Sequence, residues 1–129
     1  MSEIALVSAR KTKLETAAKK GSQAAKAALK LSENPDNWFD AVTAFETVYF
    51  WPDLPQCFRE VYRVLKPGGT FLICNESSGD TDKDEKWTKV IGGMTIYKDI
   101  ELEAYLEQAG FHEVQIYKKK SWLCITARK

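Results

Sequence analysis

The sequence predicts an α/β fold with about four strands, preceded by an N-terminal helical hairpin. From residue 38 onward, short β-rich runs alternate with amphipathic helical segments, whereas residues 1–37 show only helical periodicity. The chain has 129 residues, 44% of them hydrophobic, which fits a globular domain with a modest core. We therefore divide it into a helical hairpin segment, residues 1–37, and an α/β segment, residues 38–129.

Two apolar stripes at helical spacing predict two helices within residues 2–31. Gly21 separates them, because glycine readily adopts the left-handed conformation that ends a helix, and Ser22 is suited to cap the next one. Pro35 disfavours helix at the residue before it and so ends the second helix. The segment is predicted to form a helical hairpin with its lysines on a solvated face.

The first part of the α/β segment reads as strand, helix, strand. Residues 39–45 are β-rich and bounded by turn residues, and residues 54–65 form an amphipathic helix. Gly68 and Gly69 supply a structural turn and are not a phosphate-binding loop. Residues 70–75 are nearly all apolar, which is typical of a strand buried on both faces. The two strands are predicted to be parallel and joined by a right-handed crossover.

The remaining elements are a polar loop, a helix and two closing strands. Residues 77–86 are polar and predict a mobile loop, and residues 99–109 share an apolar stripe that Gly110 ends. Residues 114–117 and 122–126 predict two strands, joined by a hairpin-like turn.

Charge and cysteine content limit the partners. The formal net charge is +1, so we expect no nucleic-acid partner. No apolar run approaches the ~18 residues that a membrane span needs, and we expect neither a span nor a signal peptide. Cys57, Cys74 and Cys124 are scattered among apolar neighbours, which favours reduced thiols of a cytoplasmic protein over metal ligands or nucleophiles. His112, the one histidine, lies in a connector, so no metal site is expected.

Three stretches carry a family resemblance: FDAVTAFETVYFWPDL, FREVYRVLKPGGTFLICNES and the closing AGF…VQIYKKKSWLCITARK. Through them residues 39–129 resemble the C-terminal half of class I S-adenosylmethionine-dependent methyltransferases. The resemblance implies a truncated Rossmann-like half-sheet, with strands that match the fourth to the seventh of the family's seven and the last one antiparallel. It also implies S-adenosylmethionine as cofactor.

The family's cofactor recognition is concentrated in its earlier half, on a glycine-rich loop that lets the backbone approach the ligand. Residues 1–38 contain no G-x-G pattern, and Gly21 is their one glycine. We therefore expect a methyltransferase-like protein that is inactive alone and whose binding of the cofactor is in doubt.

The N-terminal stretch SEIALVSARKTKLETAAKKGSQAAKAALKLSENPD resembles the cytoplasm-facing stretch of the CorB/CorC, hemolysin-related and cyclin M-like family of transporters. The membrane spans of that family are absent from this sequence. The two resemblances predict a chimera joined near Asn37. One alternative is a single divergent methyltransferase fragment. The alternative for function is a chimeric or designed self-association module without catalysis.

Ligands of open α/β sheets bind beyond the carboxyl ends of parallel strands, which locates the candidate site. For the aromatic candidates the alternative is a core or interface role, and for the carboxylates it is simple exposure or helix capping. No residue is assigned as catalytic. The substrate-side or cofactor-side candidates are Glu46, Thr47, Tyr49, Phe50 and Trp51 after the first strand, and Asn75 and Glu76 after the second.

The half-sheet also predicts self-association. Strand 39–45 would lie at an edge that the family covers with another strand, and an apolar edge with unpaired backbone groups invites a second chain. We expect a homodimer or higher oligomer formed through that edge.

Overall fold

A computed structural model describes residues 36–129 and, before them, Thr16, residues 19–23 and Lys26. A short 3₁₀ turn, Val48–Phe50, lies between the first strand and the first helix of the larger range. The elements of that range, in chain order, are β1 (Phe39–Phe45), α1 (Leu54–Val64), β2 (Leu65–Asn75), α2 (Asp82–Val90), α3 (Asp99–Ala109), β3 (His112–Lys119) and β4 (Trp122–Arg128).

The four strands form one mixed sheet in the order β1-β2-β4-β3. β1 pairs parallel with β2, and β4 lies antiparallel between β2 and β3. The predicted α/β fold with about four strands, its parallel first pair and its antiparallel last strand are confirmed.

Local chemistry sets the ends of the two helices that build the core. α1 begins where Asp53, in the left-handed region at φ 44°, accepts a hydrogen bond on its side chain from the Gln56 N–H at 3.3 Å. Pro55 fits the first turn of α1, because the N–H that proline lacks would have no helical partner there. α3 ends at Gly110, whose φ of 106° is the left-handed conformation that the sequence predicted for a helix end.

The core lies between one face of the sheet and the helices α1 and α3. Phe58 of α1 and Phe71 of β2 contact edge to face, with ring centroids 5.5 Å apart. α3 adds Leu102 and Leu106, both fully buried. The buried apolar cluster is Val42, Ala44, Val48, Leu54, Phe58, Val61, Val64, Leu65, Phe71, Ile73, Leu102, Leu106, Phe111, Leu123, Ile125 and Ala127.

The second face of the sheet is more open than the sequence predicted. β2 was expected to be buried on both faces, but Leu72 and Cys74 on this side are only half-buried. The reason is tertiary: among the described elements, α1 and α3 both pack on the opposite face. By strand register, the side chains of Phe45, Tyr117 and Trp122 lie on this open face, where they are 57%, 55% and 44% exposed.

Three sequence predictions need correction in their bounds. β2 begins at Leu65 and not at residue 70, so Gly68 and Gly69, predicted as a turn before the strand, lie within it. The polar stretch 77–86 is not all loop, because residues 82–86 form the start of α2. Its first turn holds three carboxylates, which favour a helix N-terminus through the helix dipole. The closing strands are longer than predicted, because the turn between them is only Lys120 and Ser121.

The described N-terminal residues agree with a helix, a turn and a second helix. Thr16 and Lys19 are helical, Gly21 has the predicted positive φ of 93°, and Gln23 and Lys26 are helical again. The rest of the predicted hairpin, and the boundary between segments 1–37 and 38–129, fall outside the described residues. None of the helices in the described ranges is long and apolar enough to cross a membrane.

Candidate functional site

Glu46 joins the carboxyl ends of the two parallel strands. It follows β1 directly, and its N–H donates to the Cys74 carbonyl of β2 at 3.0 Å. Its φ of 54° is uncommon for a residue with a side chain, and such conformations cluster at functional sites. The Glu46 carboxylate accepts a hydrogen bond from the Glu76 N–H, so its charge lies over the end of β2.

Tyr49 lies beneath this carboxylate and is almost completely buried. Its hydroxyl oxygen accepts from the Ser77 N–H at 2.9 Å and lies 3.4 Å from Glu46 Oε1. Burial, with a smaller contribution from the Glu46 charge, raises the pKa of Tyr49 to about 12, although the Ser77 N–H opposes the rise. Tyr49 therefore remains a neutral phenol near neutral pH and holds the start of the loop after β2.

Three buried oxygens at the same edge have no protein partner among the described residues: Thr47 Oγ1, Asn75 Oδ1 and Ser78 Oγ. Asn75 and Ser78 are each 1% exposed. Buried polar atoms are nearly always hydrogen-bonded. Three unpaired oxygens near the carboxyl ends of β1 and β2 therefore indicate a position where a ligand or a water molecule supplies the missing hydrogen bonds.

A cavity of about 900 Å³ opens at this edge. Glu46 and Glu76 form its acidic side, Trp87 and Met94 supply apolar walls, and Lys120 reaches it from the β3–β4 hairpin. By residue type the lining is mostly polar and charged, and Trp87, Ile91 and Met94 are its apolar members. The complete lining is Glu46, Glu76, Ser77, Thr81, Asp82, Lys83, Asp84, Trp87, Ile91, Met94, Lys120 and Ser121.

The loop between β2 and α2 is held from two sides. Asp84 Oδ2 accepts from the N–H groups of Gly79 and Thr81, at 3.0 and 3.3 Å, which fixes the start of α2. Lys118 lies 2.7 Å from both Asp80 and Asp99, tying the loop to β3 and α3. The hydrogen bond from Lys118 lowers the pKa of Asp99.

The structure brings some of the predicted site residues together and separates others. Trp51 is partly buried and packs against the core: it stacks on Phe71 with ring centroids 6.3 Å apart and contacts Phe58 edge to face. Phe50 is half exposed and does not line the cavity. Glu46, Tyr49 and Glu76 form the hydrogen-bonded cluster, with Thr47 and Asn75 buried beside it.

Sequence reasoning missed the part of the cavity formed by α2 and the hairpin. The signal that was available is Thr81-x-x-Asp84, the spacing of a helix-capping box, which would have predicted a helix where a loop was expected. Ser77 and Ser78 carry no sequence pattern of their own. Within the described ranges, no three His, Cys, Asp or Glu side chains cluster as a metal site would require.

Comparison with known families identifies the chain. Residues 2–73, more than half of it, match the methyltransferase domain family. The chain belongs to that family. The match includes Asn37 and most of the segment before it, so the comparisons do not support a junction there or the CorB/CorC resemblance.

The sequence relatives of this methyltransferase-family chain are themselves methyltransferases. It is 39% identical over 90 residues to cycloartenol-C-24-methyltransferase of Arabidopsis thaliana, a match that covers 62% of this chain and 26% of that protein. It is 31% identical over 99 residues to 27-O-demethylrifamycin SV methyltransferase of Amycolatopsis mediterranei, covering 68% and 36%. The chain thus spans about a quarter to a third of these relatives.

Solved structures share the fold. A SAM-dependent methyltransferase of Archaeoglobus fulgidus aligns with a TM-score of 0.64 at 14% identity, covering 78% of this chain and 63% of that one. A SAM-dependent methyltransferase of Thermotoga maritima aligns with a TM-score of 0.63 at 21% identity, covering 73% and 57%. These likenesses establish the Rossmann-like methyltransferase fold.

Proposed function

We propose that the described α/β unit carries part of an S-adenosylmethionine-dependent methyltransferase site, and that this chain alone binds the methyl donor weakly and does not transfer the methyl group. The observation that supports it most is the position of Glu46, turned over the end of β2 beside the 900 Å³ cavity. Ligands of this fold class bind at that edge of the sheet.

The residues at this edge fit a cationic methyl donor. When bound, S-adenosylmethionine supplies an electrophilic methyl group on a positively charged sulfur. The Glu46 and Glu76 carboxylates place negative charge on one side of the cavity, and the Trp87 and Met94 side chains supply apolar surface on another. The orphaned oxygens of Thr47 and Asn75 are further acceptors or donors at the same edge.

The residues of this chain have distinct roles in the proposal. Tyr49, as a neutral phenol, positions the loop after β2 by holding the Ser77 N–H. Glu46 stabilises positive charge beside β2. The weak binding follows from the absence of a G-x-G pattern within residues 1–38, since such a loop is what lets backbone N–H groups approach the cofactor.

Nuclear magnetic resonance titration with S-adenosylhomocysteine and S-adenosylmethionine tests both parts of the proposal. We expect amide shifts at Glu76, Ser77 and Lys120 that grow without saturating through the micromolar range. Glu46→Gln should reduce the shifts caused by S-adenosylmethionine more than those caused by the uncharged sulfur of S-adenosylhomocysteine. Asp40→Asn, an exposed carboxylate at the opposite end of β1, is the matched control.

Each result bears on a separate claim. Saturation at micromolar ligand would overturn the claim of weak binding, as would methyl transfer to any acceptor by the chain alone. No shift around the cavity at millimolar ligand would overturn the assignment of the site.

A second candidate function is self-association through the β1 edge, with no catalysis. Within the described residues β1 pairs with β2 on one side and with no strand on the other. Ala41, Thr43 and Phe45 on its outer face are exposed. An edge of this kind pairs readily with a second copy, so we propose a homodimer joined along residues 39–45.

Thr43→Pro tests that dimer. The Glu46 N–H points toward β2, and backbone N–H groups alternate along a strand, so the Thr43 N–H points away from β2. Proline is tolerated at such an edge position, and it removes the outward donor. We expect light scattering at tens of micromolar to give a dimer for the parent and for Thr43→Val, and a monomer for Thr43→Pro. A monomeric parent chain would refute the dimer.

The three free thiols support a reducing compartment, and we propose the cytoplasm as the location.

A further inference from the structure

Cys74 of β2 and Cys124 of β4 are directly opposite one another in the antiparallel register. Their Sγ atoms lie 2.6 Å apart, and both side chains are half-buried on the open face of the sheet. Residues opposed in this way have Cα atoms about 4.5–5.5 Å apart, within the roughly 4.4–6.8 Å that a disulfide spans. The two thiols can therefore be bonded without movement of either strand.

We propose that Cys74 and Cys124 are a redox modification site that closes to an intramolecular cross-strand disulfide in the presence of a low-molecular-weight disulfide such as oxidised glutathione. The inference rests on the thiol pair alone and is independent of the methyltransferase proposal. The half-burial of both side chains leaves the pair accessible to a small oxidant from the open face.

The reaction proceeds by two thiol–disulfide exchanges. One protein thiol loses its proton and attacks oxidised glutathione, which forms a mixed disulfide and releases one glutathione thiolate. The second protein thiol loses its proton and attacks the protein sulfur of the mixed disulfide, which releases the second glutathione. The protein loses two protons and two electrons, and one oxidised glutathione becomes two reduced molecules.

The third cysteine provides an internal control. The Cys57 thiol donates to the Pro52 carbonyl at 2.9 Å at the start of α1, away from the β2–β4 ladder. Within the part of the chain that the structure describes, the Cys74 thiol contacts the Cys124 thiol and no backbone carbonyl. A disulfide that forms by proximity should therefore exclude Cys57.

Closure would constrain a large part of the fold. Cys74 and Cys124 are 50 residues apart in sequence, so the bond closes a loop that contains α2, α3 and β3. A cross-link over a loop of this length restricts the unfolded chain and raises the melting temperature. We expect a rise of at least about 5 °C for a domain of this size.

The experiment treats the full chain with oxidised glutathione, quenches with an alkylating agent and maps the peptides by mass spectrometry. We expect a Cys74–Cys124 linked peptide, a net loss of two hydrogens, an alkylated Cys57 and full reversal by dithiothreitol. Cys57→Ser should form the same link, and Cys124→Ser should stop at a glutathione adduct on Cys74.

The parent chain decides the outcome even where a cysteine variant folds poorly. Stable glutathione adducts on separate cysteines, a link that includes Cys57, or links only between two chains would overturn the proposal. An oxidised chain that melts at or below the temperature of the reduced chain would overturn the claim that the bond fits the native strands.

Discussion

Replacing Tyr49 by phenylalanine removes one oxygen atom from the hydrogen-bonded cluster of the candidate site. The hydroxyl accepts from the Ser77 N–H at 2.9 Å and lies within 3.4 Å of Glu46 Oε1, while the ring is buried against the core. Phenylalanine keeps the ring and its packing. The substitution therefore isolates the hydrogen bonds from the apolar contacts.

The expected loss of stability comes from the Ser77 N–H, which Tyr49→Phe leaves without a hydrogen-bond acceptor. The Ser77 N–H would lose its partner at a half-buried position, and leaving such a donor unsatisfied costs about 1–3 kcal/mol. Partial access to water at Ser77 favours the lower part of that range. We expect Tyr49→Phe to lower the free energy of unfolding by about 1–2 kcal/mol.

Urea unfolding and amide hydrogen exchange measure the two consequences. Exchange at Ser77 should accelerate in Tyr49→Phe, because its hydrogen bond is gone. Tyr117→Phe is the matched control: its hydroxyl bonds Gln115 on an exposed strand, and its loss should change stability by less than about 0.5 kcal/mol. Equal stability of the two variants, with unchanged exchange at Ser77, would refute the role assigned to Tyr49.

Alkaline pH gives the same residue a second readout. The folded state raises the Tyr49 pKa from 10.0 to about 12, so it favours the neutral phenol. That contribution is complete below pH 10.0 and is lost as the pH rises toward 12. By about pH 11 the parent should have lost about 1.4 kcal/mol that Tyr49→Phe does not lose. A constant difference between the two chains from pH 9 to about 11 would contradict the raised pKa.

Three further substitutions test the fold around the site. Leu106→Ala empties a fully buried position of α3 and should cost about 2–5 kcal/mol in urea unfolding, whereas Ile100→Ala on the exposed side of α3 should cost less than about 1 kcal/mol. Gly69→Ala would place a Cβ 2.8 Å from the Lys66 carbonyl oxygen, so we expect it to lower the free energy of unfolding by about 1–3 kcal/mol. Gly92→Ala is the control, because a Cβ there would meet open space and should change stability little. Similar melting temperatures for the two variants would contradict this prediction. Lys118→Met removes the partly exposed ion pairs to Asp80 and Asp99, so we expect the free energy of unfolding at neutral pH to fall by about 0.2–1 kcal/mol. Because the folded state lowers the Asp99 pKa, that contribution is present above the usual value of 3.8 and should disappear in unfolding measurements as the pH falls through the lowered value.

Local signals in the sequence were sufficient for β1 and α3. The bounds of β1 agree with the prediction, because turn residues flank a short β-rich run. α3 agrees as well, because Gly110 ends an apolar stripe at helical spacing. α2 was missed because its sequence is polar and has no wide apolar stripe, so it was taken for a loop. The three carboxylates in its first turn favour a helix N-terminus, but they do not produce the apolar periodicity on which the prediction relied.

Tertiary relations accounted for the remaining differences. The apolar residues of β2 gave no sign that one side of the strand would be only half-covered, since that depends on where the helices pack. The sequence indicated that Glu46 lies at the strand end, but it did not indicate the positive φ of Glu46 or the hydrogen bond from the Glu76 N–H to its carboxylate, which joins residues that follow two different strands. The sequence left both a site role and a core role open for Trp51, and in the structure its ring stacks on Phe71 against the core.

The thiol pair and the candidate site share one residue, Cys74. The Cys74 carbonyl accepts the Glu46 N–H at 3.0 Å, and the Cys74 side chain faces Cys124. Opening of the Glu46 hydrogen bond requires the end of β2 to separate from β1, and a disulfide to β4 would restrict that movement of β2. We therefore expect the Glu46 amide to exchange more slowly, by about tenfold or more, in the oxidised chain than in the reduced one.

Hydrogen exchange detected by magnetic resonance, on the oxidised and dithiothreitol-reduced chain at one pH, measures this coupling. The amide of Ile100, at the start of α3 where its N–H bonds the Asp99 carboxylate, is the internal reference, since it belongs to a helix and not to the β1–β2 ladder. Slower exchange at Glu46 with a smaller change at Ile100 means that the Cys74–Cys124 disulfide affects the end of β1, where Glu46 borders the cavity. Equal changes in exchange at both amides would mean that the disulfide stabilises the whole chain. No change at Glu46 would mean that the disulfide does not affect the Glu46 hydrogen bond at the candidate site.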